Sequence, residues 1–151
     1  MTPPSPTAPP AGAHPRVLLA AAAAAFGEDA VVDWCCRLVG ERERPDDPDL
    51  RWLGGSEDWP GYWCRVWGCR GLLYVWPPGE AGRGRTVDVV GQALRDEHWR
   101  VREMGLKVAR ARVLADLTGT VARLREDPNA RVRAAAERAL VALAAVNGPA
   151  D

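Results

Sequence analysis

The stretch that decides the fold is EDPNARVRAAAERALVALAA, residues 126–145. Its apolar side chains Val132, Ala135, Ala136, Ala139, Leu140 and Leu143 recur at i, i+3, i+4, i+7, i+8 and i+11. That is one continuous helical stripe. Asp127 is an expected N-cap, Pro128 an expected first helical residue, and Asn147-Gly148 the expected stop. Just upstream, Leu114, Leu117, Val121 and Leu124 line one face of a second helix. Two such stripes leave water together if the helices pair as an antiparallel hairpin.

The unit recurs. RDEHWRVREMGLKVA (95–109) lies over EDPNARVRAAAERAL (126–140) at an offset of 31 residues, matching Asp96 to Asp127, Arg100 to Arg131, Val101 to Val132 and Arg102 to Arg133. A partner helix is expected to start at Thr86 and to carry Val87, Val90 and Leu94, after a flexible linker PPGEAGRGR (77–85). A third copy aligns Arg65 and Val66 with Arg100 and Val101, at an offset of 35. Similarity at a period in the low thirties predicts stacked helical hairpins. The fold class expected is all-α: a short right-handed α-solenoid of about three antiparallel hairpins with an irregular N-terminal cap. Its domains are a disordered Pro-rich leader (1–15), a helical cap and connection (16–58), the repeats (59–146) and a disordered tail (147–151). Within the cap, Val31, Trp34, Leu38 and Val39 predict a helix from about Glu28 to Gly40, followed by a long polar connection with at most a short helix around Leu50 to Leu53.

These motifs resemble those of HEAT-repeat proteins, and in particular the short bacterial type of about 31 residues first described in phycobilin lyase subunits. The resemblance covers residues 60–146 and rests on the turn aspartate, the Val-Arg near the start of the second helix, and the spaced alanines. It implies a ladder of aspartate–arginine contacts between neighbouring repeats, mapping onto Asp96, Arg102, Asp127 and Arg133. In the first unit Trp67 stands where the ladder arginine is expected, and no aspartate matches Asp96. Such repeats specify a fold rather than a chemistry, and serve scaffolds, lyases and DNA-repair enzymes alike.

The stretch WPGYWCRVWGCRGLLYVWPP (59–78) holds four of the seven tryptophans and both tyrosines. On a continuous helix, Tyr62, Val66, Cys69, Leu73 and Trp76 form the core face. Trp63, Trp67, Arg70 and Tyr74 form a second stripe about 110° away. Two readings stand: these aromatics fill an interface under the cap, or they face a concave groove together with His98, Arg102 and Arg133. Gly68 and Gly71 lie on the remaining side and predict close approach of another helix.

Composition narrows function. Twenty basic and twenty acidic residues cancel, which gives no general reason to bind nucleic acid. Cys35, Cys36, Cys64 and Cys69 lack the paired spacing of zinc modules and are expected as reduced, metal-free thiols. Ser5 and Ser56 sit in no nucleophile motif, and GEAGRGR is no phosphate loop. RVLLAAAAAAFGED (16–29) mimics a secretion signal but follows a proline-rich lead without a basic cluster, so a cytoplasmic location without a membrane anchor is expected. No catalytic constellation, cofactor or metal site is visible. The leading expectation is a non-catalytic module that binds a protein or peptide segment on its concave face. The same repeat class implies two alternatives: a DNA-binding or alkylpurine-glycosylase-like repair protein, and a lyase or maturation subunit.

Overall fold

The computed structural model describes residues 8–146, so the predicted tail and residues 1–7 of the predicted leader lie outside the described residues. Seven α-helices follow one another: α1 (Pro15–Phe26), α2 (Glu28–Val39), α3 (Tyr62–Gly71), α4 (Glu80–Leu94), α5 (Trp99–Arg112), α6 (Thr118–Arg123) and α7 (Ala130–Val146). Short 3-10 turns occupy Leu50–Leu53, Ala115–Leu117 and Leu124–Glu126. No strand occurs among the described residues, and none of their helices is long and apolar enough to cross a membrane. The protein is all-α.

Helix packing follows the sequence stripes. α2 packs on α3, α4 on α5 and α6 on α7. The second members form a row in which α3 touches α5 and α5 touches α7, while α2 touches α4 and α4 touches α6. α1 lies on α2 and on the 50–53 turn. Leu94, Val101, Leu106, Leu114, Val121, Val132, Ala136 and Leu143 are all buried between these layers, and each fully buried Val or Leu contributes on the order of 2 kcal/mol.

Small residues set the spacing between paired helices. A Cβ on Gly68 would stand 2.7 Å from the Cys35 carbonyl and 2.8 Å from Leu38 Cβ, so α3 rides directly on the α2 backbone. Gly105 does the same on α4, more loosely, with Ala93 Cβ and Leu94 N at 3.2 and 3.4 Å from its notional Cβ. Around Gly68, the thiols of Cys35, Cys36 and Cys69 are buried, and burial drives those of Cys35 and Cys69 far above the usual thiol range. All four cysteines are free.

Four expectations are corrected. α4 begins at Glu80 rather than Thr86: the glycine-rich segment is its first turns, and Thr86 sits inside, its hydroxyl donating to the Gly82 carbonyl at 2.8 Å. α3 stops at Gly71 rather than continuing to Trp76, so Leu72 and Val75 take the buried places expected for Leu73 and Trp76. The stripe at 114–124 is broken by 3-10 turns and contains only a six-residue helix. α7 starts at Ala130, two residues past Pro128, and its cap is Asn129, whose Oδ1 accepts from Arg131 N at 2.9 Å.

The predicted leader also proves partly ordered. Residues 8–14 are placed, and His14 Nδ1 caps α1 by accepting from Arg16 N at 3.1 Å.

Candidate binding site

The starts of α3, α5 and α7 fall side by side because the helices do. Three residues before two of these starts stands an aspartate. Asp96 accepts from His98 N at 2.8 Å, and Asp127 from Asn129 N at 2.9 Å, so each holds the same tight turn. His98 Nδ1 then caps α5 through Arg100 N at 3.2 Å, the place Asn129 takes in α7. At the fourth helical position come Arg65, Arg102 and Arg133.

Arg102 donates from Nε and Nη2 to the two carboxylate oxygens of Asp127, at 2.8 and 3.1 Å. Arg65 does the same to Asp96, at 2.7 and 3.1 Å. Paired donors of this kind are the strongest form of guanidinium–carboxylate contact. Burial would raise the Asp127 carboxyl, but the Arg102 hydrogen bonds outweigh it and hold it below the usual carboxylate range. Nη1 of Arg102 donates to the carbonyls of Asp96 and Glu97, and Nη1 of Arg133 to those of Asp127 and Pro128. Arg102 and Arg133 are therefore held by the turns, and four of the five N–H donors of Arg102 are engaged there and by Asp127.

The first unit carries a rung after all. Arg65, not Trp67, is its arginine, and the matching offset is 37 rather than 35, because helix starts rather than Arg-Val pairs define the register. Trp59 occupies the position of Asp96 and Asp127.

The expected second stripe of α3 splits. Trp67 is buried, 4% exposed, under Gly55, where a Cβ would strike its indole. Arg70 is largely enclosed, its Nη2 donating to the Leu53 carbonyl at 2.6 Å and its Nε buried without a partner. Tyr74 meets His14 edge-on at 6.2 Å, with Arg16 over its ring. Of the seven residues expected at the site, the structure joins Trp63 to the buried Trp67, their rings stacked at 6.1 Å, and to His98 through Tyr62. The Tyr62 ring stacks on His98 at 3.6 Å and on Trp63 at 5.5 Å. Burial first, and the neighbouring Arg100 charge next, hold the His98 imidazole below its usual value, consistent with a ring that accepts at Nδ1 and is neutral.

Residues missed in the sequence complete this edge. Trp59, 54% exposed, meets Trp63 edge-on at 5.0 Å. The Arg100 guanidinium carbon lies 5.2 Å from the Trp63 ring centre and 4.4 Å from that of Trp99. Arg131 covers Trp99 at 5.4 Å while its Nε donates to Glu103 at 3.2 Å. The contacts run Trp59, Trp63, Arg100, Trp99, Arg131: one partly exposed rim built from the first turns of three helices. The signal for it was present in the alignment, since Trp63, Arg100 and Arg131 share the second helical position once the starts are matched.

Chemically, the rim has stacking faces and cations but no nucleophile–base pair. No group of three or more His, Cys, Asp or Glu among the described residues is placed to hold a metal ion. No protein-family model, no curated protein and no solved structure matches this chain.

Proposed function

We propose that the chain is a non-catalytic, HEAT-like interaction module. In this reading α2–α3, α4–α5 and α6–α7 are three antiparallel hairpins of a short right-handed solenoid, α1 is its cap, and the rim binds a protein or peptide segment. Support for the repeat comes from the rung geometry, reproduced at Arg65–Asp96 and Arg102–Asp127 to within a tenth of an ångström. Glu137, exposed at the position equivalent to the buried Leu106, gives the outer side of α7 the polar character of a terminal unit.

The observation that carries the binding reading is the partly exposed Trp59–Trp63–Arg100–Trp99 series, in which Trp59 is 54% exposed. Tryptophan and arginine dominate the energetics of protein interfaces, and large aromatics left in water ask for a partner. A cytoplasmic setting agrees with four free cysteines. A DNA-binding role is the second reading, favoured by the stacked arginines and disfavoured by a net charge of zero.

Affinity capture from native lysate tests both readings, with wild type and Trp59→Ala compared by quantitative mass spectrometry. Proteins held by wild type and released by the variant are the expected result. Identical retention on the two baits rejects the rim, and nuclease-sensitive retention transfers the assignment to nucleic acid.

A further inference from the structure

We propose that the rim selects an extended peptide segment in which an aromatic or leucine side chain lies two residues from a carboxylate. This rests on the module reading above and adds the chemistry of the ligand. The cations of this edge are not equivalent. Arg65 is committed to Asp96 and Glu41, Arg102 to Asp127, and Arg131 to Glu103. Arg100 has no carboxylate and no side-chain hydrogen bond among the described residues, and rests only against the indoles of Trp63 and Trp99. His98 beside it, neutral and capping α5, adds no charge.

A guanidinium lying on aromatic rings is already ordered, so a ligand that engages it loses little further entropy. Its N–H donors remain to be satisfied, and a carboxylate meets them with a charge-assisted fork. The apolar half of the ligand follows from Trp59. Its ring is more than half exposed and lies one ring contact beyond Trp63, which in turn touches Arg100. In an extended chain, side chains at i and i+2 share a face about 7 Å apart. That spacing places an apolar group on Trp59 and Trp63 while the carboxylate reaches Arg100.

The experiment pans a phage library of random dodecapeptides on the full chain, on Arg100→Gln and on Trp59→Ala. Thermal melts of both variants serve as the folding control, since neither side chain is buried and Arg100 carries no ion pair. Wild type is expected to enrich peptides with Asp or Glu two residues from Trp, Phe, Tyr or Leu. The best synthetic peptide, titrated by tryptophan fluorescence, should bind Arg100→Gln about 10-fold more weakly. Arg100→Gln should keep the apolar preference and lose the acidic one, and Trp59→Ala should lose both. Enrichment without an acidic bias, or an acidic bias that survives in Arg100→Gln, overturns the proposal while leaving a peptide-binding module. Failure to enrich any peptide overturns the module reading with it. Binding of a 15-mer oligothymidylate that needs Arg100 and collapses between about 50 and 200 mM salt replaces both by a single-strand-binding face.

Discussion

The two rungs of the ladder are alike at the carboxylate and unlike behind it. Arg65 and Arg102 grip Asp96 and Asp127 with the same two nitrogens at nearly the same distances. The third nitrogen differs. That of Arg102 folds back onto the carbonyls of its own turn, whereas that of Arg65 reaches across to the Glu41 side chain. The cause lies three residues before each helix. Asp96 builds the turn ahead of α5, but ahead of α3 that place belongs to Trp59, and the backbone offers Arg65 nothing. The fork is thus common to the two helix starts, and the turn is not. In the first unit the freed position presents an indole to solvent.

Asp127→Ala should have the largest effect. It leaves the Arg102 fork enclosed without its carboxylate and removes the acceptor for Asn129 N, so about 3 kcal/mol should be lost in urea unfolding. Asp96→Ala should cost less, because Arg65 keeps Glu41. A loss of only about 1 kcal/mol for Asp127→Ala would reduce the rung to the hydrogen bond that holds the turn and erase the comparison.

The glycines at the seventh position of α3 and α5 offer the next test. Gly68→Ala places a methyl 2.7 Å from a backbone carbonyl that cannot retreat, and should cost about 1–3 kcal/mol by overpacking. Gly105→Ala meets nothing closer than 3.1 Å, and the helix-propensity gain of about 1 kcal/mol should bring it near neutral. Equal penalties in thermal melts would show that the two helix pairs are seated alike.

Glu41→Ala should be smaller still. The Glu41 side chain is 67% exposed, so its pair with Arg65 should contribute less than about 1 kcal/mol and fade as salt is raised. A larger, salt-resistant loss would make Glu41 a true replacement for the missing turn.

The finest distinction is between the caps His98 and Asn129. His98 is held below its ordinary value, so the unfolded chain binds its proton first. The stability that His98 contributes is fully present above about pH 6.5 and declines as pH falls below it. Asp127, also depressed, keeps its full contribution above the unfolded carboxylate value of about 3.9 and loses it as pH falls from there through its folded value. Stability followed against pH should therefore show a shallow step below about 6.5 that His98→Asn removes. A step that survives this substitution would place the titration elsewhere.

Much of this arrangement was legible beforehand because helical stripes and turn aspartates are local signals. The stripe over 132–143 and the helix at 28–39 follow from spacing, whereas the pairing of Arg102 with Asp127 was implied by the resemblance. The close approach at Gly68 and Gly71 was also readable. The failures were failures of register and length. Matching Arg65 to Arg100 by residue type slipped the first unit by two positions and hid its rung. Of the two readings of Trp67, the one that fills an interface under the cap holds, because Gly55, on a distant loop, covers it. Gly82 and Gly84 argued for a linker, but packing of Val87, Val90 and Leu94 draws the whole of 80–94 into a helix, as tertiary contacts often override propensity. The rim escaped notice because its rings come from three helices, and a wheel drawn for one helix contains no relation to the others.

The enclosed thiols of α2 and α3 have a further consequence. Cys35 and Cys69 lie sealed in the seam between the two helices, and their protonated form dominates at any physiological pH. Cys64, on the same helix, is partly open to water. An alkylating reagent in excess will mark Cys64 first, and can reach Cys35 or Cys69 only during moments when the seam parts. Their rate of modification is a clock for that breathing, read residue by residue by mass, and it ticks without any label having been introduced.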